Sequence, residues 1–318
     1  MKIVFMGTPE FAVESLKSIV ENGFEVVGVV TMPDKNAGRG QKLTKSAVKI
    51  YAESQNLRIL QPSNLKSEEF LAELKSLNAD LQVVVAFRML PEAVWNMPRL
   101  GTINLHASIL PNYRGAAPIN WAIINGEKVT GNSTFFLQHE IDTGNIIYNE
   151  EIEITETETA GTLHDKLMFA GAKLLAKTLK SIESGNYPQI PQSEIIKKIG
   201  EPKHAPKIFK DDCKINWQIN IEKIYNFIRG LSPYPAAFSE FRNINTGEII
   251  GFKVFEAEKQ IESHALECGK LISDNKTYLK IAVNEGFIKI KQLQLAGKKS
   301  MKTEDFLRGN SISDFEIA

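Results

Sequence analysis

The stretch Asn104–Gly115, NLHASILPNYRG, decides how this chain is read. In a β-strand alternate side chains share a face, so Thr102, Asn104 and His106 point one way while Ile103 and Leu105 point the other. Such a polar row has two readings. It lies on a solvated face at a sheet edge, the commoner case for an arbitrary strand, or it carries an amide and an imidazole to a crevice at the strand's end. The flanking segments choose between them.

Upstream, KIVFMG reads as a buried strand, and TPEFAVESLKSIVENG follows as a helix with Thr8 as N-cap, Pro9 at the first helical position and Gly23 at the stop. FEVVGVVTMPD, LRILQP and ADLQVVVAF are further strands, and AVKIYAESQN and SEEFLAELKSLN are further helices. That alternation predicts a mostly parallel sheet with helices on both faces, whose ligand site lies beyond the carboxyl ends of the strands. GTINLH is then a central strand, and its end falls where chemistry is expected. Downstream, AAPINWAIINGE is helical, GNSTFFLQHEI and NIIYNEEIEI are strands around a DTG turn, and AGTLHDKLMFAGAKLLAKTLKSIESG is one long amphipathic helix.

Between Asn186 and Pro206 the pattern loses its period and collects Pro188, Pro191, Pro202 and Pro206, as a linker does. Beyond it NIEKIYNFIRGLS is a short helix, and brief strands alternate with the turn signals NTGE, DNKT and NEG. The expected organisation is an α/β Rossmann-like domain over 1–185, a linker over 186–206 and a small OB-like β-barrel domain over 207–318.

Composition excludes several classes. Of 318 residues, 43% are hydrophobic and 24% charged, which fits globular domains rather than disordered or fibrous chains. A formal net charge of +0 removes any argument from bulk charge for nucleic acid or membrane and leaves only local basic patches. Cys213 and Cys268 have no metal-ligand spacing, and no stretch approaches the roughly 20 apolar residues of a membrane span. A reduced, soluble, cytoplasmic protein without a metal site is expected. The lone GTPEF lacks the later glycines of a dinucleotide fingerprint, and Asp34 sits past TMP in a loop, so a nicotinamide site is not expected. Neither a Walker A sequence nor a nucleophile elbow is present.

Of the histidines, only His106 ends a predicted central strand, with Asn104 beside it on the same face. Asp142, in the turn EIDTGNII, is a candidate partner. A carboxylate favours imidazolium and orients the ring, while an asparagine amide donates to a carbonyl oxygen as it becomes negative. This set suits transfer of an acyl-like group to an amine without a side-chain nucleophile. Spacing alone makes this pairing no better than a guess, since turn aspartates after strands are usually structural.

NLHASILPNYRGAAPINWAI with the later DTG resembles the formyltransferase family that uses 10-formyltetrahydrofolate, whose pattern is Asn-x-His-x-Ser-Leu-Leu-Pro with a downstream Asp. Ile109 stands where that family usually has Leu. The similarity continues through MKIVFMGTPEFA, AGRGQKL, VVVAF, RGAAPI, GTLHDKL, PYPAAF and LAGKKSMKTEDFLRG, nearly the whole chain. The resemblance implies that Asn104 donates to the formyl oxygen in the transition state, that His106 is a second donor or proton carrier, and that Asp142 orients it. It implies a folate site walled by Ser108, Ile109, Leu110 and Pro111 and touched by Phe87, Arg88, Met89 and Leu90, in a loop that is one residue shorter than the family's usual one.

The co-substrate implied is 10-formyltetrahydrofolate, with no metal, and the acceptor implied is the α-amino group of methionine on an initiator tRNA. DKNAGRGQKLTKSAVK, by composition a solvated basic loop, would enter the acceptor end of that tRNA, with Arg39 as main contact and Lys42 beside it. Lys298 and Lys299 in GFIKIKQLQLAGKKSMK would track RNA backbone across the barrel. A single protomer is expected to suffice. Enzymes of the same catalytic set acting on a nucleotide sugar, a glycinamide ribonucleotide or water are the nearest rivals. The basic loop and the second domain speak against them, and RNA binding alone would not require the Asn-His-Asp set.

Overall fold

A computed structural model describes residues 1–37 and 42–318. In chain order the first part comprises β1 (Lys2–Gly7), α1 (Glu10–Glu21), β2 (Glu25–Val30), β3 (Lys35–Ala37), β4 (Lys42–Thr44), α2 (Ala47–Ser54), β5 (Ile59–Leu60), α3 (Glu68–Ser76), β6 (Leu81–Val85), α4 (Glu92–Trp95) and β7 (Thr102–His106). Then come β8 (Arg114–Gly115), α5 (Pro118–Ile124), β9 (Val129–Phe136), β10 (Ile146–Glu153), α6 (Ala160–Glu183), α7 (Gln192–Ile199) and β11 (His204–Ala205). The remainder holds α8 (Ile221–Leu231), β12 (Ala237–Asn243), β13 (Ile249–Ile261), β14 (Leu271–Ser273), β15 (Leu279–Val283), β16 (Gly286–Leu295), β17 (Met301–Lys302), α9 (Thr303–Leu307) and β18 (Phe315–Ile317).

Two compact units divide these elements. One gathers Met1–Gly115, Val129–Glu153 and His164–Ala205; the other gathers Ala116–Lys128, Ile154–Leu163 and Pro206–Ala318. The first is built on a seven-stranded sheet in the order β10-β9-β7-β6-β1-β2-β5. β5, β2, β1, β6 and β7 run parallel, as expected from the alternation of strands and helices, while β9 pairs antiparallel with both β7 and β10. The buried runs Ile3–Met6 and Leu81–Val85 are apolar on both faces apart from Gln82, as a strand covered on two sides requires.

Helix α1 starts one residue later than its sequence predicts, with Pro9 rather than Thr8 in the cap position. Residues 186–206 hold more structure than their prolines suggest. Pro191 occupies the cap position of the eight-residue α7, so a residue that reads as loop punctuation begins a helix. β11 then pairs in parallel with β8, His204 against Arg114 and Ala205 against Gly115.

The second unit is an antiparallel, near-closed barrel in the order β14-β15-β16-β13-β12-β18, with β17 paired to β16 and its two end strands in contact. α8 is capped by Asn220, whose side chain accepts from the Glu222 amide at 2.8 Å. It buries Ile221, Ile224, Ile228 and Leu231, spaced by three and four, in the same core as Phe241, Phe252 and Phe306. α5 joins this unit through α8. A Cβ on Gly230 would lie 2.6 Å from the side chain and 3.0 Å from the backbone nitrogen of Ile124, so only glycine lets the two helices approach this closely. Asn120 of α5 donates to the Gly230 carbonyl at 2.8 Å. The buried Arg229 guanidinium donates to the carbonyls of Thr155 and Glu158, which holds Ile154–Leu163 in the same unit.

Phe241 stacks on Phe252 with ring centroids 3.9 Å apart and lies 6.2 Å from Phe306. Replacing it with Ala removes the middle ring of this stack. F241A is expected to destabilise the second unit by about 3 to 5 kcal/mol, and F241L by clearly less. Scanning calorimetry of the whole chain checks this through the barrel's transition.

Candidate active site

β7 sits where the sheet changes direction. Asn104 lies opposite Val84 of the parallel β6 and Phe135 of the antiparallel β9, and His106 opposite Ser133. His106 is 8% exposed, and its ring meets the Phe135 ring edge to face. Its Nε2 is 2.9 Å from the Tyr113 carbonyl oxygen. A carbonyl only accepts, so Nε2 carries a proton and neutral His106 has its lone pair on Nδ1. Nδ1 faces Asp142, whose Oδ2 is 3.8 Å away. Asn104 is half-buried, and its carboxamide has no hydrogen-bond partner among the described residues.

Asp142 reaches this position by a folded-back loop. β9 leaves the sheet at Phe136, level with Ile103, so the loop that follows must return toward the end of β7 to place a carboxylate beside His106. Two features make that return. Asp142 adopts a left-handed backbone with φ of 55°, and Gly144 passes so close to the Phe136 carbonyl that any Cβ would overlap it. The DTG turn is therefore a steric requirement. Asp142 Oδ2 also accepts from the Gly115 amide at 2.9 Å, which fixes the carboxylate's rotamer.

The loop after β7 is tied down by Ser133. Its hydroxyl donates to the Ser108 carbonyl at 2.6 Å and accepts from the Leu110 amide at 3.0 Å. Ser108 in turn donates to the Asn112 carbonyl at 2.7 Å. Ser108, Leu110 and Pro111 are buried; Leu110 packs with Phe135 and Ile146, and Ile109 packs over Gly131. In the loop after β6, Phe87 and Leu90 pack on the apolar cluster of Val84 and Val94. Arg88 donates to the carbonyls of Pro62 and Ser63, and burial draws its guanidinium below the ordinary arginine value. Met89 is 75% exposed.

The basic loop after β2 is partly described. Lys42 pairs with Ala37 across β3 and β4, while Arg39 lies outside the described residues. Lys45 is paired with Glu53, and Lys49 with Asp34. Lys298 and Lys299 are exposed in the turn after β16. The barrel unit also holds a cavity of about 720 Å³ whose lining includes Lys207, Lys210, Lys253, Glu240, Phe238 and Leu295, which the sequence reading did not single out. Nor did that reading find Ser133, Tyr113 or Gln192. Ser133 had a signal, since its hydroxyl shares the His106 position of the sheet register. Tyr113 acts through a carbonyl, which no sequence pattern marks.

An amide free to donate, an imidazole with an available Nδ1 and a carboxylate beside it suit attack by an amine on a carbonyl carbon. Comparison with known proteins agrees. The family model described as formyl transferase matches residues 1–179, and the model described as formyl transferase, C-terminal domain, matches residues 207–311. Among solved structures, an N-formyltransferase from Helicobacter canadensis has a TM-score of 0.63 and 22% identity over 91% of this chain and 98% of its own. A sugar 3N-formyl transferase has a TM-score of 0.65 and 23% identity over 94% and 99%. These two share the fold. Fold and family models together define a formyltransferase. Methionyl-tRNA formyltransferases from Bacteroides thetaiotaomicron and Flavobacterium johnsoniae are each 55% identical over 314 residues, 99% of this chain and 97% and 98% of theirs. The chain belongs to the methionyl-tRNA formyltransferase family.

The Asp34–Lys49 pair, 2.6 Å apart and joined by Gln61, anchors the base of the basic loop. The Lys49 ammonium, and after it the Gln61 amide, hold the Asp34 carboxyl below the usual carboxylate range. A carboxyl depressed on folding contributes stability above its unfolded value, and that contribution is lost as pH falls through the folded value. The D34N variant is therefore expected to melt below the wild type at pH 7, with the gap closing below about pH 4. Melting temperatures across that range check the sign.

Proposed function

We propose that Asn104, His106 and Asp142 are the reacting centre. The activity is that of the methionyl-tRNA formyltransferases: the formyl group of 10-formyltetrahydrofolate passes to the α-amino group of methionine on initiator tRNA, giving formylmethionyl-tRNA for translation initiation. The nucleophile belongs to the substrate. The amine nitrogen attacks the formyl carbon, the bond from that carbon to N10 of the folate breaks, and the proton lost by the amine ends on N10.

One observation carries the assignment. The Tyr113 carbonyl holds a proton on His106 Nε2, which leaves Nδ1 as an acceptor facing Asp142, with the unpaired Asn104 amide on the same strand face. As the formyl oxygen gains charge, Asn104 donates to it, an interaction worth about 3 to 4 kcal/mol for a preorganised donor. His106 Nδ1 takes the amine proton, and Asp142 then faces an imidazolium. The protein's remaining task is to hold amine and formyl carbon in contact.

For the folate we propose the loop after β6, Phe87, Arg88, Met89 and Leu90, and the loop after β7, Ser108, Ile109, Leu110 and Pro111. The exposed thioether of Met89 supports contact with a flat ring, while Arg88, Phe87 and Leu90 stiffen the loop from behind. For the tRNA we propose Arg39 and Lys42 at the acceptor end, and Lys298 and Lys299 on the barrel domain, 207–318, beyond a linker at 186–206 that follows the catalytic domain, 1–185. The cavity of the barrel unit, with Lys207, Lys210 and Lys253 against the single carboxylate of Glu240, supports an anionic ligand on that unit. No helix among the described residues is long and apolar enough to cross a membrane. A single copy acting in the cytoplasm, where charged tRNA is made, completes the reading.

The test is transfer of labelled formyl from 10-formyltetrahydrofolate to charged initiator Met-tRNA. H106A is expected to lower kcat about 100- to 10,000-fold with tRNA still bound, and N104A about 100- to 1,000-fold. R39A should mainly raise KM for the tRNA. If the intact protein leaves Met-tRNA untouched but formylates a sugar nucleotide or a small amine, the catalytic assignment stands and the tRNA assignment falls.

A further inference from the structure

We infer that Gln192, in the stretch between the two regions matched by family models, is a positioning residue for the formyl-transfer centre. It is the first residue of α7 and only 2% exposed, which is rare for a glutamine. Its carboxamide is fully used. Nε2 donates to the Asp142 carbonyl at 2.8 Å and to the Gly144 carbonyl at 2.9 Å. Oε1 accepts from Arg114 Nε at 3.0 Å and from Arg114 Nη2 at 2.6 Å. Both amide hydrogens and both lone pairs are engaged, so no other conformation of the side chain satisfies these four groups.

The partners are the two chain segments that frame His106. Asp142–Gly144 is the folded-back turn that presents the carboxylate. Arg114 precedes Gly115, whose amide holds the same carboxylate, and follows Tyr113, whose carbonyl holds the His106 proton. Arg114, Gln192, Asp142 and Gly115 thus close a ring of hydrogen bonds behind the Asp142 side chain, and Gln192 is its one member from outside the two framing segments. Removing its amide hydrogens leaves two inward-facing carbonyls without donors in a turn that already adopts a left-handed backbone. The expected relief is a shift of the turn, and with it of the Asp142 carboxylate relative to His106 Nδ1. Gln192 touches no reacting atom in this account. It acts through Asp142, and the inference rests on the assignment of Asp142 to the reacting centre.

Two substitutions separate positioning from simple support. Q192E keeps the shape and the acceptors for Arg114 but places a carboxylate oxygen where the two carbonyls need donors; Q192A removes both halves. Each is expected to lower kcat about 10- to 100-fold, the scale on which a displacement of roughly 1 Å acts, with KM for Met-tRNA and for the formyl donor changed less than about threefold. The decisive readout is the cycle with D142N. If Gln192 acts through Asp142, Q192A adds little to the loss that D142N already causes. The inference is overturned if folded Q192A and Q192E keep the wild-type kcat, or if the losses of Q192A and D142N multiply. Should Q192A not fold, Q192E carries the cycle; failure of both to fold would assign Gln192 to stability alone and overturn the inference too. Failure of the functional reading would show separately, as a wild-type protein inactive on Met-tRNA.

Discussion

The carboxylate of Asp142 is the point on which the site depends. It accepts from the Gly115 amide, faces His106 Nδ1, and is carried by a turn that would not close with a side chain at position 144. Because β9 runs antiparallel to β7, this carboxylate comes to the end of β7 only by a return of the chain against the direction of β9. A parallel neighbour would have delivered its following loop directly to that end, at the cost of the long crossover that parallel connections need. The reversal in strand direction beside β7 therefore explains both the tight DTG turn and the hydrogen bonds that hold it.

Much of the surrounding polarity is committed to that geometry rather than to ligands. Ser133 organises the backbone of Ser108 and Leu110, and Arg88 ties its loop to Pro62 and Ser63. Burial draws the Arg114 guanidinium below its ordinary value, against the opposing pull of Asp142 and Glu140. Its Nε and Nη2 donate to Gln192 Oε1, and the Gln192 amide in turn donates to the carbonyls of the turn. Asn104 is different: its amide is left without a partner among the described residues, on the strand face it shares with His106. The role proposed for Asn104 as donor to an oxyanion needs this division, with framing groups saturated and that amide free.

Periodicity made the strands and helices of the first unit legible, because buried parallel strands are apolar runs and their crossover helices carry a 3.6-residue pattern. It also put Asn104 and His106 on one face, since a period of two is a property of any strand. Asp142 was a different matter. Its turn setting made it a candidate no better than a guess, and the resemblance to a formyltransferase pattern gave that candidate its weight. Gln192 was invisible, because prolines on either side made its segment read as a linker, and a glutamine at a helix start carries no chemical signal of its own. The assignment of Ala116–Lys128 and Ile154–Leu163 to the barrel unit was hidden for a related reason. It rests on the absent side chain of Gly230 and on the carbonyls that Arg229 reaches.

By itself the sequence determined the alternation that builds the α/β sheet, the short-stranded barrel that follows, and the face shared by Asn104 and His106. These follow from local repeats, which depend only on backbone geometry and side-chain character. Tertiary structure alone decided that β9 reverses direction, that Asp142 faces His106, which nitrogen of His106 carries the proton, and that Gln192 locks the turn behind it. Each of these depends on backbone carbonyls and amides brought together from distant segments, and every residue type offers the same carbonyl, so no pattern of side chains could have announced them.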